Sequence, residues 1–214
     1  MTVLYSEPLN LDIDIFRPAD IEGSTGGYNL QSEYCHSSAW CDNIFSESEL
    51  DALINICESL QFYKGRTTAA NQSNDVRDSN VKFIYPNERT GWIFDKLSAS
   101  IAHMNEEYFG FELNQIQEGI QLTKYEAPTQ HYTWHCDRGL STPIRKLSVS
   151  IQLSDPSDYE GGDLELLVGD KPEKCERGRG IATFFPSWTL HRVTPVTSGT
   201  RYSMVCWISG PPFK

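Results

Sequence analysis

His135 and Asp137 stand two residues apart at the end of Tyr125–Asp137, Y-E-A-P-T-Q-H-Y-T-W-H-C-D. Along an extended chain, alternate side chains leave on opposite faces, so the imidazole and the carboxylate share one side and can share one metal. Cys136 is then expected to point away from that metal as a small buried hydrophobe. A third ligand has to come from elsewhere, and His191, in F-P-S-W-T-L-H-R-V, is the candidate. Two imidazoles and one carboxylate on one face suit Fe(II) with its other coordination positions open to exchangeable ligands. Arg201 follows His191 by ten residues, past a Gly-containing turn. A hairpin of that length would return its guanidinium to the same mouth, where a planar fork binds a carboxylate bidentately.

These residues need strands to hold them, and the second half of the chain supplies the pattern. Ile116–Tyr125, Arg145–Leu153, Gly162–Val168, Gly180–Phe185, Leu190–Val196 and Arg201–Ser209 read as strands, with Leu147, Val149, Ile151 and Leu153 alternating with polar residues. Short strands at such intervals predict a double-sheet jelly roll, the cupin architecture, whose Gly-rich turn D-Y-E-G-G-D lies close to the metal-binding pair. Ahead of them, Ser46 and Glu49 form a capping box before Leu50, Leu53, Ile54, Cys57 and Leu60, which predicts a helix over residues 46–61. Ile93, Leu97, Ile101 and Met104 or Tyr108 lie on one face of a second helix over Thr90–Tyr108, stopped at Gly110. Between the helices, Gly65–Asn80 reads as a polar loop, a candidate substrate lid, and Val81–Tyr85 as a short strand. Residues 1–43, broken by Pro8, Pro18 and a Gly-rich run, suggest one or two short strands and loops. The fold class expected is α+β: one domain over residues 1–214, with residues 1–110 as strands and supporting helices and residues 111–214 as a jelly-roll catalytic core.

Composition narrows the function classes. The 214 residues carry a formal charge of −11, which weighs against nucleic-acid backbones and anionic membranes as partners. No apolar run approaches a membrane span and no signal-peptide pattern opens the chain, so a cytoplasmic location is expected. Six scattered cysteines without a C-x-x-C pair read as free thiols, not as a disulfide framework or a zinc site. Oligomeric state has no signature in the sequence.

Residues 116–210 resemble the catalytic core of the Fe(II) and 2-oxoglutarate-dependent oxygenases, and within them the prolyl 4-hydroxylase branch. The run Y-x(6)-Y-x-x-H-x-D, the G-G-D-L turn and F-P-S-W-T-L-H-R-V-T-P-V-T-S-G-T-R-Y-S-M-V-C-W carry the resemblance. The segment Val76–Ile84, V-R-D-S-N-V-K-F-I, is similar to an Arg-x-Ser segment on the substrate side of prolyl hydroxylases. The resemblance implies that His135, Asp137 and His191 hold Fe(II), and that Arg201 pairs with the distal carboxylate of 2-oxoglutarate. Tyr125 would hydrogen-bond that carboxylate, with Ser203 and Thr123 as weaker candidates. Tyr132, Trp207 and Arg77 would meet the substrate, a proline-containing protein or peptide. Ascorbate would serve as reductant, and succinate and carbon dioxide would be the co-products. His131 and Trp134 are bulky where many relatives carry small or apolar residues, so a different pocket rim is expected.

Blander readings stand beside these. Without the resemblance, Tyr125 and Trp207 read as core or cross-strand aromatics, and Arg201 as an ordinary solvated charge. Three function classes follow: a peptidyl-prolyl 4-hydroxylase, a 2-oxoglutarate oxygenase of a free amino acid or small metabolite, and a non-catalytic jelly-roll metal-binding protein. A dicarboxylate clamp at Arg201 and Tyr125 has no use in the third.

Overall fold

The computed structural model describes residues 35–65 and 75–212. Of residues 1–43, where one or two short strands and loops are expected, residues 1–34 fall outside the described residues and Ala39–Cys41 is a strand; of the loop expected at Gly65–Asn80, residues 66–74 fall outside them and Arg77–Asp78 is a short strand.

The first helix, α1 (Glu47–Ser59), starts where its capping box predicts: the Glu49 amide bonds the Ser46 side chain while the Glu49 carboxylate accepts from the Ser46 amide. The second, α2 (Gly91–Met104), buries Ile93, Leu97, Ile101 and Met104. It then widens into a π-helical turn, Asn105–Phe109, closed by Gly110 in the left-handed region at φ 65°. The wider turn shifts the helical phase, so Phe109 is buried in place of Tyr108, which is exposed.

Thirteen strands occur among the described residues. They are β1 (Ala39–Cys41), β2 (Tyr63–Lys64), β3 (Arg77–Asp78), β4 (Asn80–Ile84), β5 (Gln115–Glu126), β6 (His131–His135), β7 (Arg145–Gln152), β8 (Tyr159–Gly161), β9 (Leu164–Leu167), β10 (Pro172–Lys174), β11 (Ala182–Pro186), β12 (Leu190–Val193) and β13 (Val196–Ser209). The major sheet runs β1-β11-β7-β13-β5-β4-β2, with β8 paired to the start of β13. The minor sheet runs β10-β9-β12-β6-β3. These two sheets form the jelly roll, with the helices on one of its faces. The expected hairpin between His191 and Arg201 is not there: β12 lies in the minor sheet and β13 in the major one. The chain crosses between sheets after Val193, because Val196–Gly199 pairs with β8 and not with β12.

Period-two alternation divides the major sheet into two working faces. Leu147, Val149 and Ile151 of β7, Ile120 and Leu122 of β5, and Met204, Cys206 and Ile208 of β13 join one core cluster with Leu50, Leu53, Ile93 and Leu97 of the helices. The opposite parity carries Ser148, Ser150 and Gln152, then Gln121, Thr123 and Tyr125, then Arg201, Ser203 and Trp207, and these too are buried. They look towards the minor sheet, where a second cluster of Tyr125, Tyr159, Leu164, Leu166, Phe185, Val193 and Val196 closes one end of the sandwich. Polar residues on these strands therefore mark an internal site, not a solvent face.

Candidate active site

The metal-ligand candidates converge on the minor sheet. His191 of β12 is the direct cross-strand partner of His135 of β6, and Asp137 follows just beyond the end of β6. Ligand atoms of His135, Asp137 and His191 all lie within 4.8 Å of one another. His135 Nε2 is 3.8 Å from Asp137 Oδ1 and His191 Nε2 is 3.5 Å from Asp137 Oδ2. Each ring spends its other nitrogen on a carbonyl two residues earlier, His135 Nδ1 on Thr133 at 2.8 Å and His191 Nδ1 on Thr189 at 2.9 Å. That bond fixes the tautomer and leaves the Nε2 lone pairs aimed at Asp137. Burial and the neighbouring His191 push the His135 pKa down to about 3, against the opposing pull of Asp137, so the ring is a neutral donor at physiological pH.

Asp137 is held as firmly. Ser148 Oγ donates to Asp137 Oδ2 at 2.7 Å and lies 2.9 Å from Ser187 Oγ. The Asp137 carbonyl accepts from Thr142 Oγ1 at 2.7 Å and from Arg145 Nη1 at 3.1 Å. Arg145 is itself clamped by Glu118 and lies over the Trp207 ring, 3.9 Å from its centroid. Burial alone would raise the Asp137 pKa, but the two imidazoles, the Ser148 bond and the nearby Trp207 N–H lower it below the usual carboxylate value. The Trp207 N–H acts there at a distance, since no partner lies within hydrogen-bond geometry.

Across the sandwich, Arg201 of β13 sits opposite Tyr125 of β5, with its guanidinium 5.4 Å from the Tyr125 ring centroid. Only 1% of Arg201 is exposed, yet no carboxylate lies within ion-pairing distance of it among the described residues. Its neighbours are neutral: Nη2 donates to Gln152 Oε1 at 2.8 Å, Nη1 to Ser203 Oγ at 3.3 Å, and Nε has no partner. Isolating a buried cation costs of order several kcal/mol unless an anion meets it. Gly162, at φ 63°, lets the chain pass close to this stem, since a Cβ there would stand 3.0 Å from Arg201 Cδ.

A cavity of about 930 Å³ joins the two walls, lined by His135, Asp137 and His191 on one side and by Tyr125, Arg201 and Ser203 on the other. Tyr132 stacks on His135 at 3.5 Å between centroids, with Arg77 4.6 Å from the Tyr132 ring. Arg77 also donates to Ser79 Oγ at 2.9 Å and to Gln121 Oε1 at 3.4 Å. Tyr132, Arg77 and Trp207 all line the cavity.

Three expectations need correction. Thr123 is on the site face but does not line the cavity; its hydroxyl accepts from Gln121 Nε2 at 2.9 Å. Cys136 is exposed, because β6 stops at His135 and strand alternation ends with it; its thiol donates to the Trp188 carbonyl at 3.0 Å. His131 and Trp134 do not shape the pocket rim: His131 engages the Thr129 and Asp75 carbonyls, and Trp134 lies under the Arg192 guanidinium. Ser148, Gln152, Gln121 and the Arg145–Glu118 pair are site residues that the sequence reading did not single out. For Ser148, Gln152 and Gln121 the signal is parity with the site faces of β7 and β5; Arg145 and Glu118 carry the opposite parity and lie beyond register shifts in the pairing with β13.

Residues 120–209 match the family profile described as the 2OG-Fe(II) oxygenase superfamily. A PKHD-type hydroxylase from Synechococcus sp. (strain CC9605) is 44% identical over 152 residues, covering 70% of this chain and 67% of that protein. The chain belongs to the 2OG-Fe(II) oxygenase superfamily. A second PKHD-type hydroxylase, from Crocosphaera subtropica, is 29% identical over 177 residues, 78% of this chain and 76% of that protein. Among solved structures, a Trichoplax adhaerens prolyl hydroxylase in complex with a hypoxia inducible factor peptide fragment overlays with a TM-score of 0.69 at 18% identity, covering 84% of this chain and 85% of that one. A Pseudomonas putida prolyl-4-hydroxylase gives 0.68 at 19% identity, covering 81% and 93%. It is a 2-oxoglutarate-dependent dioxygenase that works with Fe(II), and it shares its fold with prolyl hydroxylases. The residues fit both groups: two imidazoles and a carboxylate for the metal, and a buried guanidinium without a counter-charge among the described residues for a dicarboxylate. No helix among the described residues is long and apolar enough to cross a membrane.

Proposed function

We propose that this oxygenase hydroxylates proline in a protein or peptide, with succinate and carbon dioxide as co-products, and that residues 1–214 act as one domain with residues 111–214 as its catalytic core. The observation that carries the reading is one cavity with a His-Asp-His cluster on one sheet and an uncompensated buried Arg201 on the other. His135 and His191 offer Nε2 and Asp137 a carboxylate oxygen to Fe(II). Arg201, with Tyr125 and Ser203 beside it, receives the distal carboxylate of 2-oxoglutarate. When bound, the iron and its cosubstrate supply the oxidising power that inserts one atom of dioxygen into a C–H bond.

The protein contributes orientation and a dry environment. Tyr132 against His135 and Phe185 against His191, with centroids 4.7 Å apart, wall the metal side with rings that exclude water. Trp207 and Arg77 line the remaining space, where the substrate's reacting carbon would be placed. The exposed rings of Tyr63 and Phe83, which also line this cavity, favour a substrate that extends past the mouth.

Purified protein supplied with Fe(II), ascorbate and 2-oxoglutarate should form succinate in step with a gain of one oxygen atom on proline-containing peptides, followed by mass spectrometry. His135→Ala should lose metal and turnover together. Arg201→Ala should keep the metal and raise the 2-oxoglutarate requirement about tenfold or more, the equivalent of one charge-assisted contact. Oxidation of small carboxylic acids with peptides untouched would replace the peptide reading with a metabolite one.

A further inference from the structure

We infer that Gln152 is a positioning residue for the cosubstrate clamp, and that its neutrality keeps the Arg201 charge available. The inference rests on the reading that Arg201 meets the distal carboxylate. Gln152 is buried on the site face of β7, and its Oε1 accepts from Arg201 Nη2 at 2.8 Å, a shorter bond than the one from Nη1 to Ser203 Oγ. A strand at the centre of the sandwich gives the amide little freedom, so it fixes the plane of the fork and not merely its distance.

What Gln152 is not matters as much. Glutamate has the same shape and would bring a full negative charge to the same atom. In a chain with 29 acidic residues and a formal charge of −11, no acidic group contacts Arg201 among the described residues. Among the described residues, Asp137 is the sole carboxylate lining the cavity. Three half-buried arginines are neutralised: Arg145 by Glu118, Arg192 by Glu165 and Arg177 by Asp163. Arg201 departs from that habit. An amide acceptor orients the guanidinium without cancelling it, whereas a carboxylate at the same place would form an ion pair in a low-dielectric interior that an incoming carboxylate would have to break.

The test is a calorimetric titration of Fe(II)-loaded protein with 2-oxoglutarate in the absence of oxygen, comparing the wild type with Gln152→Glu and Gln152→Met. The expected order is wild type tightest, the Met variant a few-fold weaker and the Glu variant about tenfold weaker or more. Oxalate, a metal chelator too short to reach Arg201, should bind all three proteins alike, and that equality also shows that the variants keep their fold. A Glu variant within twofold of the wild type, or a Met variant weaker than the Glu variant, would overturn the inference. Equal losses for oxalate and 2-oxoglutarate would also overturn it, since they describe a structural role. A wild-type protein that binds oxalate but not 2-oxoglutarate would overturn the assignment of Arg201 itself.

Discussion

At the scale of single residues, the site is governed by groups that hold other groups. Ser148 donates to the same Asp137 oxygen that faces His191, and Ser187 lies within reach of the Ser148 hydroxyl. Removing the Ser148 hydroxyl leaves the carboxylate free to rotate. Ser148→Ala should therefore weaken metal binding about ten- to a hundredfold, measured by competition with a chelator, while the apo-protein melts near the wild-type temperature. The metal cluster itself was legible in the sequence because histidine and aspartate at spacing two, followed by a distant histidine and an arginine, form an uncommon combination of residue types. Ser148, Gln121 and Gln152 were not legible for a physical reason. Serine and glutamine alternating with valine and isoleucine look the same whether the polar side meets water or a cavity, and only the second sheet decides. Cys136 misled in the opposite sense, because alternation holds only while the strand lasts.

At the scale of elements, the two helices and most long strands were readable from periodicity, whereas the short strands β8 and β10 were not. A three-residue strand is defined by its partner and carries almost no pattern of its own. The Gly-rich turn illustrates this. Gly161 ends β8 at φ 69°, and a Cβ there would stand 2.1 Å from the Pro195 carbonyl oxygen. Gly161→Ala should destabilise the fold by about 1–3 kcal/mol from backbone strain alone, and by more from the clash. Gly139→Ala, where a Cβ meets nothing within 4 Å, should melt close to wild type and serves as the control in the same thermal scans. The expected hairpin between His191 and Arg201 failed at this scale too. Spacing along the chain predicted a shared mouth, and a shared mouth exists, but the two residues reach it from facing sheets.

At the scale of the whole molecule, burial of thiols links stability to alkaline pH. Burial pushes Cys57, Cys175 and Cys206 up to about 12 from a usual value of 9.0. The unfolded chain releases these protons near its ordinary thiol range while the folded chain keeps them. Their contribution is thus complete below about pH 9 and is lost as the pH rises from there towards 12, with a slope of about 1.4 kcal/mol per pH unit for each thiol. Urea midpoints should fall as the pH is raised from about 8.5 to about 10.5. Cys57→Ala combined with Cys206→Val should flatten that fall; an unchanged slope would mean that other groups cause it.

The central place of β13 has one more consequence. It follows every other strand of the described fold along the chain, yet it sits between β5 and β7, with β8 on its first residues. A ribosome making this protein releases both flanking strands long before the one that joins them. Until residue 209 emerges, the nascent chain holds two half-sheets with unpaired edges, and neither can present a clamp. Arg201 arrives on the same strand that completes the sheet, so the ability to bind cosubstrate and the closing of the fold become a single late event.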